Sequence, residues 1–80
     1  MEKYKTSLYV IYDVVAQESG SILELKNDAV AQRIVQNMLR ENKLSAKDFR
    51  LYLLGRYDNE TMNLFVNEKL EIAIPEVQDE

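Results

Sequence analysis

The stretch "LKNDAVAQRIVQNMLRENK", Leu25 to Lys43, decides the fold of this chain. Apolar residues fall at 31, 34, 35, 38 and 39, and Val30 widens the set. That i, i+3, i+4, i+7, i+8 spacing predicts a helix over 28–42 with one core-facing stripe. Asn27 stands just ahead of it, where its side-chain oxygen can accept an orphan N–H of the first turn. Asp28 follows, where the helix dipole favours negative charge. Asn42 and Lys43 mark the end. Arg33, Gln36, Arg40 and Lys43 cluster on the side opposite the stripe. Two readings of them stand open: ordinary solubility, or a cationic ridge that tracks phosphates.

The flanks of this helix read as strands. "SLYVIYDVV", residues 7–15, is rich in Tyr, Val and Ile, which suit a pleated surface. Both alternating sets are apolar, so the strand is expected to be central or covered on both faces. "AQESGS" is expected to turn, with Gly20 free to take positive φ. Residues 22–25 read as a short strand or an extended lead into the helix. After it, "LSAKDF" offers Ser45 and Asp48 for a single capped turn. "FRLYLLGRYD" gives a strand over 49–57, with Phe49, Leu51, Leu53 and Tyr57 on one side. Arg50, Tyr52, Leu54 and Arg56 fall on the other. Asp58 and Asn59 suit a four- or five-residue hairpin loop. Residues 62–67 return, and 70–74 add an edge strand before Pro75.

The expected fold class is therefore α+β: one amphipathic helix packed on a small, mainly antiparallel sheet of three to five strands, ordered ββαββ. Residues 1–74 form one domain and 75–80 an acidic tail. One helix covers one sheet face. Tyr9, Ile11, Tyr52 and Leu54 are placed on the uncovered face, as a dimer or partner surface.

Composition narrows the chemistry. The 80 residues contain neither cysteine nor histidine. That removes disulfides, thiolate chemistry, the usual zinc ligands and the usual general base near neutral pH. Only Gly20 and Gly55 are present, so no glycine-rich phosphate loop exists. The serines lack a histidine base. No catalytic residues, metal or cofactor are expected, and the chain is expected not to be an enzyme. It lacks an apolar run long enough to cross a bilayer, and no signal-peptide pattern follows its charged start. A cytoplasmic location and no membrane partner are expected. A small fold without staples often dimerises to complete its core, so a homodimer is considered.

The net charge of −4 is unevenly spread. Residues 26–56 carry seven basic and three acidic side chains, whereas 58–80 carry one basic and seven acidic. The middle is a solvated surface or a polyanion patch tuned by the acidic end. Tyr52 lies between Arg50 and Arg56 on one expected strand face. Aromatics flanked by cations on a sheet are how several folds hold single-stranded nucleic acid. The competing reading makes Tyr52 a core or interface residue with a wet hydroxyl.

Segment order carries one further signal. A "YVIYD" strand is followed by Ala16 and Gly20. "KND" with "AQR" opens the helix at Lys26, Asn27, Asp28, Ala31 and Arg33. "DFRLYLLGRYDNET" supplies Asp48, Phe49, Leu51, Tyr52, Gly55, Tyr57, Asp58, Glu60 and Thr61. Over residues 8–64 the chain resembles the small nonstructural protein of gokushoviruses, single-stranded-DNA phages of the Microviridae. It departs at Ser21, where that family often has proline, and at Met62, where it often has glycine. The resemblance implies a role in phage genome replication, around single-stranded DNA synthesis or its delivery to capsids. It carries over no catalytic residue.

The first expectation is thus a non-enzymatic phage protein in single-stranded DNA replication or packaging, contacting that DNA through Arg33, Arg40, Lys43, Arg50, Tyr52 and Arg56. The alternative is a protein-interaction module that binds a phage or host replication protein or a capsid protein.

Overall fold

The computed structural model describes residues 5–75 and, at Asn67, the backbone only. Four antiparallel lanes of strand carry one helix on a single face, the expected α+β arrangement. Strand β1 (Thr6–Asp13) is central. On one side it pairs with β2 (Glu18–Ser19) and β3 (Leu23–Leu25), two pieces of one interrupted lane. On the other it pairs with β4 (Phe49–Asp58), which pairs in turn with β5 (Asn63–Ile72). Helix α1 (Asp28–Asn42) joins β3 to β4. Part of the acidic tail, 76–80, lies outside the described residues.

The helix starts and stops as its sequence dictates. The Asn27 side chain accepts the Val30 N–H at 3.0 Å. At the other end Lys43 takes the left-handed conformation, φ 55° and ψ 45°. Its N–H reaches Arg40 O at 3.3 Å, and the Leu44 N–H reaches Leu39 O at 2.9 Å. These paired bonds satisfy the last helical carbonyls. The predicted stripe is the buried one: Ala31, Val35 and Leu39 are nearly inaccessible, with Met38 packed alongside.

Tyr9 and Leu51 complete the fully buried core, with Ile11, Phe49, Leu53, Ile72 and Ile74 packed against it. Cross-strand register explains the grouping. Tyr9 lies opposite Leu53 and Ile11 opposite Leu51, so all four share the helix-covered face. This corrects the placement of Tyr9 and Ile11 on the uncovered face. β1 is apolar on both sides, so alternation alone does not choose a side. The choice is made where the Tyr9 hydroxyl donates to Asp28 Oδ1 at 2.5 Å.

Both hairpin tips are built alike. Tyr12-Asp13 and Tyr57-Asp58 each precede a four-residue loop. The Gln17 N–H returns to Asp13 O at 2.8 Å, and the Met62 N–H returns to Asp58 O at 2.7 Å. Gln17 (φ 63°) and Met62 (φ 65°) are left-handed. The first turn therefore falls at 14–17. Gly20 does not take positive φ, and the strand expected to reach Val15 stops at Asp13.

Strand β5 is continuous where two strands, 62–67 and 70–74, were expected. Leu53 pairs with Leu70 and Gly55 with Val66, so Leu54 alone faces Asn67, Glu68 and Lys69. The polar "NEK" is thus a bulge inside one strand. Gly55 accommodates it: a Cβ there would collide with the backbone oxygen of Phe65. Beyond β5, residues 73–75 run along the helix flank. Gln32 Nε2 donates to Ala73 O at 2.9 Å and Gln36 Nε2 to Pro75 O at 3.5 Å. Gln36 therefore sits at the flank rather than on the outer ridge.

Candidate functional site

The uncovered sheet face is the side on which Leu8, Val10 and Tyr12 of β1 alternate away from the core. Val10 is opposite Tyr52, and Tyr12 is opposite Arg50. Glu71 of β5 continues the Tyr52 row. Lys69, two residues away, brings its ammonium to 5.9 Å from the Tyr52 ring centroid. Arg50 reaches Glu71 at 3.7 Å and donates to the carbonyls of Lys47 and Phe49 at 3.1 and 2.9 Å. Tyr12, Tyr52 and Arg50 are half-buried and Lys69 is exposed. Around Tyr52 this part of the face offers two phenol rings, two cations and one carboxylate. Chemically it can stack planar rings and hold a nearby anion.

Of the six expected DNA-contacting residues, only Arg50 and Tyr52 stand on this face. Arg33, Arg40 and Lys43 are exposed on the outer side of α1, across the molecule. Arg40 donates to Asn37 Oδ1 at 3.3 Å, and Lys43 terminates the helix. The third position is Arg56. Because Leu54 is the extra residue in β4, alternation shifts past it, and Arg56 pairs with Ser7 on the helix-covered side. Its Nε donates to Thr6 O at 3.4 Å. Arg56 is therefore not on the Arg50–Tyr52 face, which corrects its sequence-based placement. Leu54 itself sits half-buried at the bulge. Gly55, an isolated strand glycine, was the signal for that shift.

Arg56 instead borders a cleft of about 600 Å³ beside the first turn of α1, together with Lys5, Ser7, Lys26, Asn27 and Asp28. Lys5 is held by Glu60 at 2.7 Å. The carboxylate of Asp28 lies among these cations and receives the Tyr9 hydroxyl. Burial, and then that hydrogen bond, push the Tyr9 phenol up to about 12. It stays a neutral donor, so the contact is a fixed tie between strand and helix.

At the β4–β5 tip, Asp58 accepts the Glu60 N–H at 3.0 Å and the Thr61 hydroxyl at 2.9 Å. The Glu60 N–H, and next the Thr61 hydroxyl, hold its carboxyl below the ordinary 3.8. This is turn chemistry. Among the described residues, no group of three or more acidic, cysteine or histidine side chains is placed to hold a metal. No helix among them is long and apolar enough to cross a membrane.

Lys69 and Tyr12 were missed as members of the uncovered face. Alternation puts Tyr12 on the face opposite Tyr9, and Lys69 falls between the two expected strands, 62–67 and 70–74. The family described as "Phage ORF5 protein" matches residues 6–76. No curated protein and no solved structure matches the chain.

Proposed function

We propose that this chain, which belongs to the Phage ORF5 protein family and so is a phage protein, acts without catalysis in replication or packaging of a single-stranded DNA genome. It does so by contacting single-stranded DNA on the uncovered sheet face. The observation that carries this reading is the Lys69 ammonium set 5.9 Å from the Tyr52 ring, with Arg50 on the same face. A base stacks on the phenol while the cations meet neighbouring phosphates. Such stacking contributes about 1–3 kcal/mol per base in known cases. The resemblance of residues 8–64 to the gokushovirus nonstructural protein supplies the biological context.

The net charge of −4 does not exclude this, because seven of the ten basic side chains fall within residues 26–56. The test is fluorescence anisotropy with a labelled oligonucleotide at low and moderate salt. Binding should weaken steeply with salt, because counterions are released. Tyr52→Ala and Lys69→Ala should each weaken it, and Arg33→Ala should not. Absence of binding at low salt, or loss only from Arg33→Ala and Arg40→Ala, contradicts the reading.

A second reading, a module that binds a phage or host replication protein or a capsid protein, is favoured by exposed apolar side chains on β5. Leu64, Phe65, Val66 and Leu70 are each more than half exposed. Affinity capture from infected cells, with and without nuclease, separates the two. Recovery of a protein that survives nuclease supports this one.

A further inference from the structure

The β5 edge carries a symmetry that its sequence hides. β5 ends the strand order of the sheet, and among the described residues its ladder partner is β4. It is ten residues long and holds four large exposed apolar side chains, features that natural edge strands ordinarily avoid. Through register with β4, Phe65, Leu70 and Ile72 belong to the helix-covered side of the sheet. Leu64, Val66, Lys69 and Glu71 belong to the uncovered side. An ordinary strand never groups residues 65 with 70, or 66 with 69, because alternation separates odd from even positions. The bulge at 67–69 shifts the alternation midway, and the two halves become mirror sets.

This matters for self-pairing. Two copies of one strand, paired antiparallel, place residues i and j side by side with a constant sum of positions. Each pair must share a face. In β5 that condition requires an odd sum. The odd sum that overlaps the full strand pairs Asn63 with the partner's Ile72 and Leu64 with the partner's Glu71. It also pairs Phe65 with the partner's Leu70, Val66 with the partner's Lys69, and Asn67 with the partner's Glu68. Every one of the outer four pairs is face-matched, and no two like charges are directly opposed.

We propose that β5 pairs edge to edge with β5 of a second copy, about a two-fold axis between Asn67 and Glu68. This interface replaces the sheet-face dimer surface expected from sequence. The two-fold axis stands perpendicular to the sheet, so the two helices lie on one side of a continuous eight-lane sheet. Both Tyr52–Lys69 faces lie on the other side. The Phe65 ring meets the partner's Leu70 twice per dimer and removes both from water. The pairing does not depend on DNA binding.

The test uses the full chain in analytical ultracentrifugation, with far-UV circular dichroism as the folding control. Wild type should sediment as a dimer. Val66→Lys sets a lysine against the partner's Lys69 at two places, and should weaken the dimer about tenfold. Val66→Glu, equally polar, should weaken it far less, because it meets that lysine with opposite charge. The chain has no native cysteine, so Val66→Cys with Lys69→Cys should give a covalent dimer on oxidation. A wild-type monomer at high concentration overturns the proposal. So does equal loss from Val66→Lys and Val66→Glu in folded protein, or a dimer that the cysteine pair fails to trap.

Discussion

The Tyr9 hydroxyl donates to Asp28 Oδ1 at 2.5 Å, and this contact fastens the central strand to the first turn of the helix. Tyr9 is fully buried, and Asp28 sits one residue past the Asn27 cap. The contact therefore sets which face of β1 the helix covers, and with it which face is left open.

Replacing Tyr9 with Phe keeps the ring in the core and removes the bond. Stability should fall by about 1–2 kcal/mol in urea denaturation at neutral pH. The same variant changes the alkaline limb. The folded Tyr9 value, about 12, lies above the ordinary 10.0. Its contribution is intact below pH 10.0 and is lost as pH climbs through about 12. Tyr9→Phe should show a flatter decline across that window.

Gly55→Ala should destabilise the sheet by roughly 3 kcal/mol, because the new methyl meets the backbone of β5 rather than a side chain that can move. Thermal unfolding of the variant checks it. Gly20→Ala, where a Cβ meets nothing within 4 Å, is the matched control and should change little.

Lys43 and Met62 hold left-handed conformations without being glycine. Lys43→Gly and Met62→Gly should each stabilise by about 0.5–1 kcal/mol, the steric relief being partly offset by a freer unfolded chain. The glycine often found at the Met62 position in the resembling phage proteins fits this backbone. Unchanged or lower denaturation midpoints would contradict the turn geometry described.

Acid stability should depend on Asp58. Its folded carboxyl titrates below the ordinary 3.8, so its contribution is present above that value and fades as pH falls beneath it. Asp58→Asn cannot titrate. The difference in stability between wild type and this variant should therefore shrink as pH is lowered below 3.8. Denaturation curves over that range measure it.

Sequence legibility followed from how local each determinant was. The helix bounds, 28–42, and the Asn27 cap were readable because stripe and cap are encoded within a few turns. The β4–β5 hairpin loop was readable from Asp58 and Asn59. The side chosen by Tyr9 was not, since both faces of β1 are apolar and the deciding bond spans 19 positions. Arg56 was misplaced because one bulge residue, Leu54, shifts every later side chain to the other face. The first turn was sited too late because glycine drew attention to Gly20, whereas Gln17 bends the chain, with Asp13 accepting the Val15 and Ala16 N–H groups at 3.0 Å. The candidate face was accordingly half legible. Arg50 and Tyr52 belong to it, Arg56 does not, and Lys69 reaches it only because β5 runs unbroken through its bulge.

The most direct test of the DNA-contact reading is a titration of the isotope-labelled protein with short oligothymidylate, followed by amide chemical shifts. The account predicts perturbations concentrated at Val10, Tyr12, Tyr52, Lys69 and Glu71 on the uncovered sheet face. Perturbations confined to the Arg33–Arg40 side of the helix, or none at low salt, would contradict it.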